Sequence, residues 1–513
     1  MTPSRPRPLA LRHAFGWALA LALGCAPAAG AELRYGSKGV PVSFGNPYMA
    51  NGSPSNYVWA AMFDALTQID ANGQLQPALA LSWENVEPRA WRFKLRPSVS
   101  FSNGEPLTAD AVVTAIAWLK TPEGRRSVIG NEIRDVMAAE KVDELTIVVR
   151  TERPDAILPR RMSAVLLVAP KAWTTLGPDG FAKAPATTGS YALKDWGEGT
   201  GRIVLEAFKR SWRAPVLDKL VVVNLPDNAA RLQALQSKQI DIAGNINVDD
   251  MDAVEMFGGR VVSGSSASIM AIAFRVSDGP QAALKDVRVR QAINYAVDKA
   301  ALNTALLRGL TSPAGQPAAK GVVGHDPSIA PYPYDPAKAR ALLKEAGYER
   351  GFAMKVDVIV DRTPGDAAIY QTVADMLAQV GIRVELRTIP FPSWLTKYLS
   401  GTWDKDTAAF SLSWNAGPYN DVARPMEIYS CLKPVPFFCD AALTQRLVAA
   451  GEVMDLVKRE ALLKELGRAY RDAAPALFLL DLNDFFAVRA GVDNVAIVNR
   501  VPVYHKITLS AAR

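Results

Sequence analysis

Histidine and cysteine are almost missing from this sequence, with three of each in 513 residues. His13 lies in the N-terminal segment, and His325 and His505 stand isolated. No HExxH, GxSxG, P-loop or GxGxxG string occurs, so the spacings that carry zinc hydrolysis, serine hydrolysis, phosphate cradling and dinucleotide binding are absent. One SxxK string, Ser430-Cys431-Leu432-Lys433, does not open a recognisable helix and overlaps a cysteine with another use. Basic runs are lacking too. The net charge is +7, but the Lys and Arg residues are scattered, which argues against a nucleic-acid arm. There is no internal repeat, no low-complexity tract and no second long apolar run after the N-terminal one. What remains is 49% hydrophobic and 21% charged, a composition that excludes wholesale disorder. At roughly 100–200 residues each, a chain of this length holds two to four domains.

The N-terminus reads as a secretory signal. Arg5, Arg7 and Arg12 form a positive region, an apolar stretch runs from about Ala14 to Gly24, and Ala29-Gly30-Ala31 offers a small-x-small cleavage site. The apolar stretch is short for a membrane span. Cys25 offers a competing lipoprotein-type cleavage, against which Ala22 stands where Leu is usual. Cleavage near Ala31 leaves Cys431 and Cys439, an even pair close in sequence in an exported chain, which reads as a disulfide. Two cysteines without a nearby histidine cannot complete a zinc site.

Strands alternate with helices along the rest. Trp91, Phe93 and Leu95 alternate with Arg92, Lys94 and Arg96, a strand with one wet face. Thr108 is placed to cap a helix carrying Val112, Ile116 and Leu119. Asp286 begins a helical pattern running through Val297 to Ala300, and Asp335-Pro336 starts another that stops at Gly347. Between 353 and 414 the pattern is strand (353–360), helix (366–380), strand (382–389), a helix through Trp394, and a third strand. That strand places Ala408, Phe410, Leu412 and Trp414 on one face and Ser411 and Ser413 on the other. Such repetition implies parallel strands, and ligands sit beyond the carboxyl ends of parallel strands. Arg362 and the turn after Trp414 could therefore share one crevice.

Several blocks resemble family 5 extracellular solute-binding proteins, the dipeptide-, oligopeptide- and nickel-binding subunits of ABC importers. They are Met62-Phe63-Asp64-Ala65-Leu66 with GQLQPALAL (73–81), WRFKLRPSVSFSNGEPLTADAV (91–112), PATTGSYAL (185–193), LQALQSKQIDIA (232–243), RVRQAINYAVDKAAL (288–302) and YDPAKARALLKEAGY (334–348). The resemblance implies an α/β fold of the periplasmic-binding-protein type II kind: two α/β lobes around a cleft plus an extra domain in the N-terminal half. By that analogy 1–31 is the signal peptide, 32–77 with 189–275 and 486–513 is the first lobe, 78–188 the extra domain and 276–485 the second lobe.

It also implies a site. Arg362 matches an arginine that pairs with a ligand carboxylate, a task suited to a planar guanidinium. Trp414 matches a tryptophan beside the ligand, with Asn415, Ala416 and Gly417 offering polar contact or close backbone approach. Gly417 stands where peptide binders place an acid for the ligand's amine, and Asp421 is the nearest substitute. Asn46 and Tyr48 belong to a loop similar to one that reaches the cleft, and Cys431 and Cys439 match a disulfide of peptide-binding members. The resulting expectation is a periplasmic, monomeric, non-enzymatic subunit without cofactor or metal. It would close over a small solute and pass it to an ABC permease in the membrane. A di- or oligopeptide leads the ligand classes, with a nickel chelate, an amino-acid conjugate or an oligosaccharide as alternatives. An exported enzyme and a secreted folding factor are the competing classes.

Overall fold

Apolar and β-branched runs such as LVVV (220–223) and AIAF (271–274) build the buried strands of a ten-stranded sheet. The computed structural model describes residues 1–2 and 31–510; the expected leader and Cys25 lie outside them. The strands are β1 (Glu32–Ser37), β2 (Tyr191–Asp195), β3 (Arg202–Ala207), β4 (Lys219–Asn224), β5 (Ile242–Gly244), β6 (Arg260–Phe274), β7 (Phe352–Val358), β8 (Ile382–Thr388), β9 (Thr407–Asn415) and β10 (Ala476–Val488). Their spatial order is β8-β7-β9-β6-β10-β5-β1-β4-β3-β2. β6 and β10, of 15 and 13 residues, pair antiparallel in the middle. They divide the sheet into a β1 side and a β7 side. Their register shifts between Ser265 and Ile269 and again between Met270 and Ala271, irregularities that bend and twist a strand pair.

Parallel pairing occurs on both sides, β1 with β4 and β5, and β7 with β8 and β9. Strand-helix-strand connections produce it: Asp366–Ala378 (α1) joins β7 to β8, and Phe391–Ser400 (α2) joins β8 to β9. A separate four-stranded antiparallel sheet takes 80–87, 90–95, 146–151 and 136–143 in that order. It packs on the β1 side through a common apolar core that includes Tyr48, Trp59, Phe93 and Trp173.

Three local expectations need adjustment. The pattern from Asp286 to Ala300 is two helices, Val287–Tyr295 and Lys299–Leu307, because Asp298 accepts a hydrogen bond from the Ala301 amide and starts a new N-terminus. Thr108 occupies an N-cap position, but its hydroxyl goes to Asp110 Oδ2 at 3.2 Å rather than to the backbone. β7 ends at Val358, two residues early, since the Ile359 amide turns to the Ser411 hydroxyl at 3.0 Å. Cys431 and Cys439 are disulfide-bonded.

Candidate functional site

The carboxyl ends of parallel strands from both sides of the sheet meet at one cavity of about 800 Å³. Lys38 follows β1, Pro226 follows β4, Ile359, Asp361 and Arg362 follow β7, Phe391 follows β8, and Asn415 ends β9; all line the cavity. This is the crevice position expected for an open α/β sheet, and the volume suits a small-molecule site.

Arg362 is held by its neighbourhood rather than by an acid. Asp366, at the start of α1, accepts the backbone amides of Asp361, Arg362 and Thr363 at 2.9–3.0 Å. That fixes the turn in which Asp361 adopts φ +60°. The Arg362 guanidinium stacks 4.0 Å from the centre of the Phe391 ring, leaving its N–H edges for a ligand. Lys38 reaches across from the β1 side, and its Nζ donates to the Arg362 carbonyl at 3.0 Å. Among the described residues neither cation has a carboxylate partner. Loss of water inside the cleft, reinforced by Arg500 and Arg362, pushes the Lys38 ammonium down to about 7. Loss of water and Arg500 likewise lower the Arg362 value. Arg500 differs: both of its bonds, at 2.7 Å, go to Asp484. A site that strips cations of water without supplying anions favours a bound anion.

An apolar wall flanks these charges. Phe391, Trp394 and Tyr398 recur at helical spacing on α2 and stack, with Trp394 and Tyr398 5.1 Å apart and nearly parallel. Trp394 Nε1 donates to the Ser411 carbonyl at 3.1 Å, which ties the helix to β9. Ser411, Ser413, Tyr429 and Lys433 complete this wall. Lys433 donates to the Tyr398 carbonyl at 2.7 Å.

A second set of charges closes the cleft. Glu132, from the unit built on the four-stranded sheet, takes the Arg424 guanidinium through several bonds, including Nε to Oε1 and Oε2 at 3.1 and 3.0 Å. Arg161, from the same unit, binds Glu427 at 2.7 Å, Asp155 at 2.8 Å and the Tyr419 hydroxyl at 2.9 Å. The loop after β9 takes part. Pro418 and Tyr419 carbonyls accept from Ser163 and Arg160, and Asn420 donates to the Gly73 carbonyl.

The structure brings together only part of the expected constellation. Arg362 and Asn415 line the cavity. Trp414 does not. It is fully buried behind cavity-lining Tyr429, against Tyr429, Tyr470 and Phe478 at 5.0–5.8 Å, with no acceptor for its Nε1 among the described residues. The cavity takes residues from both faces of β9, Ser411 and Ser413 from one and Leu412 from the other, and Tyr429 stands between it and Trp414. Ala416 and Gly417 are buried behind Asn415, whose Oδ1 accepts the Gly417 amide at 2.7 Å. Asp421 is taken up by Arg459, which donates two bonds to its carboxylate at 2.7 and 3.0 Å, and is out of reach of the cavity. Asn46 and Tyr48 pack inside the β1-side core, where Tyr48 stacks on Trp118 at 5.2 Å; from their loop only Ser53 and Pro54 reach the cavity. Sequence reasoning missed Lys38 and the α2 aromatics. The strand ending at Ser37 and the spacing of Phe391, Trp394 and Tyr398 were the available signals.

Residues 74–433 match the family model described as bacterial extracellular solute-binding proteins, family 5 Middle. The chain is 27% identical over 450 residues to a glutathione-binding protein of Pectobacterium atrosepticum, which covers 85% of each chain. Among solved structures it is similar to a periplasmic binding protein of Helicobacter pylori in complex with the peptide STSA, with a TM-score of 0.79, 22% identity and 94% and 98% of the two chains covered. It is also similar to a periplasmic binding protein of A. tumefaciens R10 in complex with agropinic acid, with a TM-score of 0.78, 22% identity and 94% and 99% covered. At these identities the likeness shows the fold, and the two bound ligands are chemically different.

Proposed function

The chain belongs to family 5 of the bacterial extracellular solute-binding proteins, the substrate-binding subunits of ABC importers, and from that premise we propose that it captures a small, anionic, peptide-like solute in the periplasm. Proteins of this family bind without chemical turnover. None of the described helices is long and apolar enough to cross a membrane.

The observation that carries the reading is the pair Lys38 and Arg362, cations without a carboxylate partner among the described residues, facing one cavity from opposite sides of the sheet. A solute carboxylate bridging them favours any form in which Lys38 lies at the Arg362 turn over one in which the two sides stand apart. Differential affinity of this kind is what lets a ligand drive closure. The permease then meets a closed, loaded protein. A peptide-like body fits the mixture of serine hydroxyls, backbone edges and stacked aromatics along β9 and α2.

Mass spectrometry of the small molecules released on denaturing the purified protein tests this. A peptide-like acid is the expected finding. A nickel chelate, a neutral oligosaccharide or a cation would overturn it.

A further inference from the structure

Six cationic side chains and four carboxylates line the cavity. The carboxylates are the informative group, because a buried ammonium needs one. Asp366 is spent on three backbone amides. Glu132 is neutralised by Arg424, and Glu427 by Arg161, with Arg134 a further 3.7 Å contact. Of these four, Asp361 alone has no partner among the described residues, and it is exposed beside Arg362 in the cationic part of the cavity. A ligand ammonium would have to enter beside unpaired cations or break an ion pair of Glu132 with Arg424 or of Glu427 with Arg161. The cations show the reverse pattern. Lys38, Arg362 and Lys433 all lack carboxylate partners among the described residues.

We propose that the solute carries no free ammonium group. It is a peptide-like acid, amino-capped or amine-free, whose carboxylate is gripped from both sides of the cleft by Lys38 Nζ and the Arg362 guanidinium. This deepens the peptide-like reading above and rests on it. Lys38 becomes a specificity residue: its Nζ, now on the Arg362 carbonyl, moves to a carboxylate seated beside that turn. The burial that weakens the Lys38 ammonium supports the assignment, since an arriving anion restores its charge.

The test uses the solute-stripped protein and one tripeptide library in three forms: unmodified, N-acetylated, and N-acetylated with an amidated C-terminus. Capture is read by native mass spectrometry. The N-acetylated form should be captured at concentrations at least tenfold below the unmodified form, and amidation should abolish capture. Equal or better capture of the unmodified form overturns the proposal and leaves the peptide-like reading standing. Capture of none of the three overturns both. Lys38→Met should weaken capture of the acetylated form at least tenfold, with Lys38→Arg restoring it in part. A Lys38→Met protein of unchanged thermal midpoint that captures as well as the parent removes the grip.

Discussion

Replacing Asp421 by Asn should cost stability and leave the ligand alone. Asp421 is fully buried, and Arg459, whose side chain is 2% exposed, donates both of its Asp421 bonds to the two carboxylate oxygens. Asp421 also accepts the Ala423 amide at 2.9 Å, which starts the short helix Ala423–Ile428. Asn keeps the shape and one acceptor oxygen but strands the Arg459 charge. Breaking a buried pair from one side costs about 3–5 kcal/mol, a factor of roughly 10² to 10³·⁵ in the local equilibrium. Urea unfolding followed by circular dichroism, alongside calorimetric titration of the released solute, measures both consequences. The midpoint should fall while solute affinity below the transition stays within about threefold. A second substitution, Arg459→Met, removes the stranded charge at similar volume and should recover much of the loss, giving a measurable coupling energy. The pH sign follows from the same contacts. Arg459 holds the Asp421 carboxyl below the usual carboxylate value of 3.8 against the opposing effect of burial. The pair's contribution is therefore complete above about pH 4 and is lost as pH falls through the lower folded value. An Asp421→Asn protein of unchanged stability that has lost its solute would refute the reasoning and return Asp421 to the binding site.

Three further outcomes are expected. Arg362→Ala should weaken binding of the released solute by about 1.5–3 kcal/mol, the worth of a charge-assisted hydrogen bond, and equal affinity in titration would remove Arg362 from the site. Affinity for an anionic solute should fall as pH rises from about 6 to 8, because Lys38, held near 7 by burial, Arg500, Arg362 and Arg231 against Asp484, must be charged to bind. A titration series in which Lys38→Met keeps the same pH slope would contradict that. Reduction of Cys431–Cys439, which are eight positions apart, should cost about 2.5 kcal/mol by loop-closure entropy. It should also loosen binding, since Leu432, Lys433 and Pro434 between them line the cavity; unchanged affinity after reduction would show the brace to be irrelevant to the site.

Much of the architecture was legible because it rests on local periodicity. The β7-α1-β8-α2-β9 run follows from apolar spacing and from Gly381 and Gly401, which have φ of +90° and +71° where helices end. Parallel order then placed the cavity at strand ends, and Arg362 with it. What the sequence left open was which residues of β9 reach the cavity. The alternation was correct, but a large aromatic at a strand end reads equally as wall or core. Ser411, Leu412 and Ser413 line the cavity from both faces of the strand, while Trp414 fills the apolar space between Tyr429, Tyr470 and Phe478. Asp421 was illegible for a different reason: its partner, Arg459, lies 38 positions away on the helix Leu456–Ala473, and such a pair leaves no local pattern. Lys38 was missed because its meaning depends on a contact 324 positions distant.

In the proposed complex one anion is held between the two sides of the sheet. A crystal structure of the protein with the solute it carries from its own cell tests it most directly. The account predicts a solute carboxylate within hydrogen-bond reach of both Lys38 Nζ and the Arg362 guanidinium, with the solute body along Phe391, Trp394 and Tyr398. A solute whose anionic group lies elsewhere, or one that presents an ammonium or a metal to these two side chains, would contradict it.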